Sequence, residues 1–338
     1  MRLVLNLLPG TLSIAATFAV MSVALTGIGL LIRRAFVAAS ADVDDCLAAF
    51  WMGFSAVILF LLIWNFVAPV TVATLTIVVL TGIAGMVSAR EALAALWRAG
   101  RGQRTTWWTM GGVALAWLWL ANLSTGAMTN WDTTLYHMQG VQWALTYPVV
   151  PGLANLFGPM AFNNASLLYD AMLGTGPWAG QGWRVANGVL LAGLVAQGIV
   201  GLGRFADPTR PRRAADLFMV FLVPMALDMA MRDEVVSFVT DLSLTAVRMG
   251  CMALWYRALT SERRDPERDG VHAAEPGGEL DALVDVGAGA GQGSATLQFR
   301  EGQATLHGLG QGNASCTVMG WLEADHQFLI IISSVDWG

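Results

Sequence analysis

Three side chains that lie close together in the sequence, Asp132, Tyr136 and His137, have the types and spacing that proton transfer needs. If a helix begins near Asp132, Tyr136 shares its face and His137 lies about 100° further round, because an α-helix turns once in 3.6 residues. A carboxylate at a membrane surface suits a general base, since partial desolvation raises its pKa toward the working pH. We therefore predict Asp132 as a catalytic residue and the other two as substrate-binding residues.

Neutral amides and aromatic rings accompany these three residues. Asparagine side chains supply the uncharged donors and acceptors that carbohydrate recognition uses, and tryptophan rings can stack on a sugar face. The further substrate-binding candidates are Trp131, Gln139, Trp143, Asn155, Asn163, Asn164 and Asp241. We predict no cofactor and no metal. The open alternative is a divalent-metal site that would combine the carboxylates of Asp233, Glu234 and Asp241.

Each candidate also has a structural interpretation. Asp132 can cap the helix that follows it, because aspartate is a favoured N-cap residue, and capping does not exclude catalysis. His137 on an apolar face can be a hydrogen-bonded packing residue. Asp170 and the asparagines can fix the conformation of a loop.

The composition indicates that these residues lie in a polytopic membrane protein. The chain has 338 residues, of which 55% are hydrophobic and only 13% are charged, whereas soluble domains carry about a quarter charged residues. Its net charge of -5 is dispersed and forms no basic stripe, so we expect no nucleic-acid partner. Cys46, Cys251 and Cys316 lie too far apart to show metal-ligand spacing.

Seven apolar stretches predict about seven transmembrane helices. The loops after the first, third, fifth and seventh stretches are rich in arginine, which places them inside the cell. The loop 124–183 contains no Lys or Arg before Arg184, and its carboxylates are Asp132 and Asp170. We therefore place this loop outside. The predicted spans are 12–32, 46–67, 70–87, 107–123, 185–202, 216–231 and 242–256.

Two pieces of the outer loop show helical periodicity. In the first piece, apolar residues recur at spacings of three and four between Leu135 and Leu145. The second piece, 159–173, begins with proline, which is favoured at the first position of a helix. Both pieces are too short to cross a bilayer, so we predict two helices that lie in the membrane interface.

Asp228 and Arg248 lie within the predicted sixth and seventh spans. Ionisable residues at membrane depth are costly to bury and often functional. We predict an Asp228–Arg248 ion pair between adjacent helices, and the alternative is a role in binding phosphate. A non-enzymatic transporter or lipid-handling protein would use this pair and would use the outer loop as a lid.

Several motifs of the loop resemble a known group. The stretches WDTTLYHMQ at 131–139, VPGLANL at 150–156 and FNN at 162–164, with SFVTDL at 237–242, resemble a little-studied group of bacterial polytopic membrane proteins. The architecture of that group is similar to the GT-C superfamily of membrane glycosyltransferases. The resemblance covers about a third of the chain.

The resemblance implies an activity and a location. GT-C enzymes take a sugar from a polyprenyl-phosphate donor and carry an acidic residue in the first large outer loop, here Asp132. The expected partners are a polyprenyl-phosphate-linked sugar and membrane lipid, and the expected location is the bacterial plasma membrane. Four spans precede the long loop here, where the superfamily commonly has one.

The sequence changes character near residue 260. The transmembrane domain is predicted over 1–260 and a charged, Pro- and Gly-rich linker over 261–278. A short tail, 279–338, is predicted as β-rich or poorly ordered, as in a truncated or frame-altered member of the group. The run Leu283–Gly291 imitates the strand and glycine loop of an S-adenosylmethionine methyltransferase. The 47 residues that follow it are too few for a doubly wound domain.

Overall fold

The computed structural model describes two units of the chain separately. Backbone contacts divide the chain into the units Met1–Arg264 and Asp265–Gly338. In the first unit the described residues are 2–36, 42–128, 130–156, 158, 165–210, 213–232 and 234–262. In the second unit they are 280–288, 291–300, 303–307, 316–319 and 331–335.

The described residues of the first unit form helices joined by turns. A π-helical turn, Thr133–His137, precedes α6, and the 3-10 turns Gly182–Arg184 and Glu234–Val236 precede α9 and α12. The helices are α1 Arg2–Arg34, α2 Val43–Val67, α3 Val72–Ser88, α4 Arg90–Gly100, α5 Arg104–Leu123, α6 Met138–Thr146, α7 Leu153–Leu156, α8 Ser166–Leu173, α9 Ala186–Ala206, α10 Ala214–Val220, α11 Leu222–Met231 and α12 Thr240–Glu262.

The described residues of the second unit form β-strands. The first three strands make an antiparallel sheet in sequence order, and the last two make an antiparallel pair. Residues 263–279, which include most of the predicted linker 261–278, lie outside the described residues. The character of the tail as a whole stays a prediction. The strands are β1 Leu280–Ala288, β2 Gly291–Arg300, β3 Gln303–His307, β4 Cys316–Met319 and β5 Ile331–Val335.

Helices occupy all seven predicted spans, and four or five of them are long and apolar enough to cross a membrane. Within the described residues these are Leu8–Arg34, Val43–Val67, Gly182–Ala206 and Ala214–Met231. The fifth is the pair α3 and α4, which bends by 66° and counts if the pair is one span. Trp, Gly and Thr lower the hydropathy of α5, and two arginines lower that of α12. With these four or five long apolar helices, the first unit is helical and typical of a membrane protein.

Small residues allow the first three helices to pack closely. A Cβ atom at Gly53 would lie 1.8 Å from the carbonyl oxygen of Leu25, and one at Gly85 would lie 1.9 Å from that of Gly27. The backbone of α1 therefore touches those of α2 and α3, as small residues permit between membrane helices. The most deeply buried helix is α9, which contacts α5, α10, α11 and α12.

Ion pairs join several helices at one end of the bundle, which we call the basic end. Arg204 pairs with Asp44 at 2.6 Å, and Arg257 pairs with both Asp44 and Asp216. A further pair joins α1 to α2 at this end. The two charges of that pair, Arg33 and Asp45, lie 2.6 Å apart.

The long loop docks on the opposite end of the bundle through its backbone. The N–H of Val70 donates to the carbonyl of Ala144 at 2.8 Å, and the N–H of Val149 donates to that of Asn65 at 2.8 Å. Both bonds attach the end of α6 to the turn between α2 and α3. The site residues that precede α6 are thereby held at this end.

The second predicted interfacial helix differs from the structure. Its first residues, 159–164, lie outside the described residues, and α8 covers only Ser166–Leu173. Residues Tyr169 to Leu173 are buried, and the Tyr169 ring packs edge-on against Phe54 with centroids 5.2 Å apart. The described part of this helix is therefore part of the bundle. Its amphipathic sequence could not distinguish a membrane surface from a protein surface.

Candidate functional site

Asn130, and not Asp132, caps the helical turn of the site. The Oδ1 atom of Asn130 accepts hydrogen bonds from the backbone N–H of Thr133 at 3.1 Å and from the Thr133 hydroxyl at 3.2 Å. Asp132 makes no side-chain capping hydrogen bond and its side chain is exposed. The capping interpretation of Asp132 is therefore wrong. Its carboxylate is left available to a ligand.

Thr133 also joins the long loop to the segment just before α12. Its hydroxyl oxygen is buried and accepts a hydrogen bond from the backbone N–H of Phe238 at 3.2 Å. Asn187, near the start of α9, holds the same segment by donating from Nδ2 to the carbonyls of Ser237 at 3.0 Å and Val239 at 3.2 Å. These bonds place the first turn of α12, with Asp241, beside the loop.

The turn that carries Tyr136 and His137 is a π-helix, one residue wider per turn than an α-helix. The backbone N–H of Met138 donates to the carbonyl of Thr133, five residues earlier in the chain. A hydrogen bond with this spacing defines a π-helix. Single π turns inside helices are frequent at functional sites. The rings of Tyr136 and His137 lie edge to face with centroids 4.3 Å apart.

Charge and burial act on these two rings together. Burial lowers the pKa of His137, and the carboxylates of Asp132 and Asp241 partly oppose that shift. Burial and the same two carboxylates raise the pKa of Tyr136. At neutral pH the imidazole is therefore neutral and the phenol is protonated. Both carboxylates, one from the long loop and one from the first turn of α12, therefore act on the same ring pair.

His137 retains an unused polar atom. Its side chain is only 4% exposed, and Nδ1 is buried without a hydrogen-bond partner among the described residues. A buried polar atom of this kind costs free energy unless a ligand or water satisfies it. The hydrogen-bonded packing interpretation therefore does not account for Nδ1.

The other predicted ligand-binding residues are distributed over the loop. Trp131, next to Asp132, is 77% exposed, and Gln139 is exposed at the start of α6. The Trp143 ring lies against Tyr147 at 5.1 Å, outside the cluster. Asn155 is exposed on α7. The remaining two candidates, Asn163 and Asn164, lie outside the described residues.

The metal alternative finds no complete ligand set in the described part of the chain. No group of three or more His, Cys, Asp or Glu side chains could hold a metal ion among the residues described. Asp233 and the side chain of Glu234 lie outside them, and Asp241 is exposed.

The predicted ion pair between Asp228 and Arg248 is wrong. Asp228 instead pairs with Arg232 at 2.9 Å, one turn along the chain, and their side chains are 59% and 67% exposed. Arg248 is exposed on α12. The arginine four residues along the chain therefore provides the partner, and the pair lies on an exposed surface.

Comparison with known proteins gives one match. The model of a family described as "Domain of unknown function (DUF8201)" matches residues 12–269. The chain belongs to this family. No curated protein and no solved structure matches. The DUF8201 region includes every residue of the cluster and ends before β1.

Three residues of the DUF8201 region that position the site escaped the sequence prediction. Asn130 stands three residues before Thr133, which is the spacing of an N-cap and its bonded N–H. Asn187 is an amide near the start of an otherwise apolar helix, and polar side chains in such helices often bond across to a neighbour. No signal in the sequence identifies Phe238 N–H as the partner of Thr133.

Proposed function

We propose that the cluster of Asp132, Tyr136, His137 and Asp241 is the active site of a membrane glycosyltransferase. The donor is a sugar linked to polyprenyl phosphate, and the acceptor is a hydroxyl group. The observation that carries the proposal is the convergence of two carboxylates, from distant parts of the chain, on a partly buried ring pair. The resemblance of the loop motifs to a GT-C-like group supplies the substrate class.

The chemistry assigns the proton to Asp132. The acceptor oxygen attacks the anomeric carbon and forms the new glycosidic bond, while the bond from that carbon to the phosphate oxygen breaks. The electron pair leaves with polyprenyl phosphate, and the hydroxyl proton passes to the carboxylate of Asp132. General-base catalysis of this kind contributes about 10²–10⁴-fold to a rate. Because Asn130 supplies the cap, Asp132 is free for this role.

The neighbouring groups suit recognition of the sugar. The protonated Tyr136 phenol can donate a hydrogen bond, and neutral His137 can accept one at Nδ1 from a sugar hydroxyl. Asp241 can accept from a second hydroxyl. The exposed ring of Trp131 offers an apolar face beside the reacting carbon.

The orientation follows from the arginine distribution. We place the basic end in the cytoplasm and the loop end at the outer face of a bacterial plasma membrane, with all seven predicted helices crossing it. The lipid donor then reaches the cluster from the outer leaflet. This arrangement resembles the outer-face chemistry of GT-C enzymes.

The transporter alternative has lost its main support. It required Asp228 and Arg248 to pair inside the bundle, and Asp228 pairs with Arg232 on an exposed surface. We therefore retain the enzyme proposal alone.

The test is sugar transfer by purified protein in lipid nanodiscs. The assay uses a panel of radiolabelled polyprenyl-phosphate sugars and compares the wild type with Asp132→Asn and with Asp228→Asn as the matched control. We expect Asp132→Asn to lower the rate about 100-fold or more, with an unchanged melting temperature. Asp228→Asn should keep the wild-type rate. Transfer by Asp132→Asn at the wild-type rate would contradict the proposal.

A further inference from the structure

An apolar groove runs between α5 and α9 at the basic end, away from the site described above. Its volume is about 410 Å³, within the range of about 300–1,000 Å³ that is usual for ligand sites. The walls of the groove are mainly apolar. They include Met110, Val113, Ala114, Trp117 and Val200.

Contacts between the two helices shape the groove. Trp117 donates from Nε1 to the carbonyl of Ala192 at 2.9 Å, which joins the helices at the deep end. Near the mouth, a Cβ atom at Gly203 would lie 2.3 Å from the hydroxyl oxygen of Thr109. The lining residues of α5 and its cap extend from Gln103 to Trp117, a length of about 21 Å at 1.5 Å per residue. One leaflet of a bilayer is about 15 Å of hydrocarbon, so the groove can hold an acyl chain.

The mouth of the groove is polar and rich in arginine. Thr105, Arg204, Asp207 and Arg210 line it. The described segments 98–104 and 204–210 that flank it contain five arginines and one aspartate. This balance favours an anion.

Not all of these arginines are equally available to a ligand. Arg204 is engaged by Asp44 at 2.6 Å. Arg210 contacts Asp207 only at 3.5 Å and its side chain is 48% exposed. Two hydrogen bonds from Thr209 hold the same Asp207 carboxylate. The Arg210 guanidinium is therefore the group at the mouth that can best bind a phosphate.

Aromatic residues place the mouth at headgroup level. The rings of Trp97 and Trp107 lie edge to face at 5.7 Å, and Arg104 lies over the ring of Trp108 at 5.9 Å. Tryptophan and arginine at a helix end are typical of the interface between membrane and water. The apolar walls begin within two turns of these residues.

We propose that this groove binds an anionic glycerophospholipid from the leaflet at the basic end. One acyl chain lies along α5 between Met110 and Trp117, and the phosphate is bound by Arg210, since the Thr105 hydroxyl is engaged by the Asp207 carboxylate. The inference does not rest on the proposed glycosyltransferase activity. If the groove does not bind lipid, the proposed active site at Asp132 is unaffected, and the reverse also holds.

The test measures thermal unfolding of the full chain in detergent with added lipid. The lipids are phosphatidylglycerol and phosphatidylcholine with identical acyl chains, and glycerol 3-phosphate serves as a headgroup without chains. Wild-type protein should be stabilised by phosphatidylglycerol at lower concentration than by phosphatidylcholine, and not by glycerol 3-phosphate. Stabilisation by glycerol 3-phosphate alone, or equal stabilisation by both lipids, would overturn the proposal.

Two variants, each with a matched control, locate the lipid. Arg210→Gln should raise the phosphatidylglycerol concentration for half-maximal stabilisation about tenfold, the loss expected for one charge-assisted hydrogen bond. Arg90→Gln, an exposed arginine outside the groove, should not. Ala114→Trp fills the groove and should abolish the lipid effect, whereas Leu115→Trp, on the neighbouring exposed position, should keep it. Unchanged lipid response in both Arg210→Gln and Ala114→Trp would contradict the assignment.

Discussion

The hydroxyl of Thr133 accepts a hydrogen bond from the backbone N–H of Phe238 across 105 residues of sequence, at 3.2 Å and in a buried position. The same hydroxyl donates to Asn130. One side chain thus connects the cap of the π turn to the segment that leads into α12. This relationship brings Asp241 to the side of the molecule where Asp132 lies.

Removal of that hydroxyl should destabilise the protein. Thr133→Val keeps the shape of the side chain but leaves the Phe238 N–H and Asn130 Oδ1 without this partner, at a cost of about 1–3 kcal/mol in the free energy of unfolding. Thr133→Ser should restore most of the loss. The control is Thr134→Val, because Thr134 is exposed and its hydroxyl bonds only to Trp131 of its own turn. Equal melting temperatures for Thr133→Val and Thr134→Val would contradict the role of this bond.

The ion pairs at the two ends of the bundle should differ in their effect on stability. Asp44→Asn removes the charge that faces both Arg204 and Arg257, and we expect a loss of about 3 kcal/mol because Arg204 loses its largely buried partner while Arg257 keeps only Asp216. Asp228→Asn breaks only the exposed pair with Arg232 and should cost less than about 1 kcal/mol. Thermal unfolding in detergent gives the comparison. A larger loss for Asp228→Asn would show that this residue is buried as the sequence predicted.

The buried Asp170 carboxyl should make stability depend on pH. Burial raises its pKa well above the ordinary value, so the folded protein keeps a proton that the unfolded chain releases above about pH 4. Stability is therefore present at low pH and is lost as pH rises toward the folded pKa, by about 1.4 kcal/mol per pH unit.

Asp170→Asn has no such proton to lose, and its melting temperature should exceed that of the wild type increasingly as pH rises. The measurement is made above about pH 7.5, a full unit above the ordinary histidine pKa of about 6.5, so that His137 is largely neutral in both the folded and the unfolded chain. Asp228→Asn serves as the carboxylate control and should follow the wild type. A constant difference between Asp170→Asn and the wild type at all these pH values would refute the linkage.

Long apolar runs made the helices predictable, whereas the location of the site in the loop 124–183 stays a prediction. Each of the seven apolar stretches coincides with helices, because a run of this length has few other ways to satisfy its backbone in a membrane. The sequence places Asp132 and Asp241 on the same side of the predicted spans, and the Thr133–Phe238 hydrogen bond joins the two segments that carry them. Length and composition support four or five spans among the described helices.

Choices between equivalent partners were not predictable from the sequence. Asn130 and Asp132 are both good cap residues two positions apart, and only the path of the chain selects Asn130. The sequence offered both Arg232 and Arg248 as partners for Asp228, and the structure pairs it with Arg232. The burial of Tyr169 depends on its contact with Phe54, which no local pattern encodes.

The position of bound polyprenyl phosphate tests the central claim most directly. An electron cryomicroscopy structure of the wild-type protein with added polyprenyl phosphate should show the phosphate beside the Tyr136–His137 pair, with the lipid chain leading into the leaflet at the loop end. Phosphate density found only at Arg210 in the α5–α9 groove, with none near Asp132, would contradict the proposed active site.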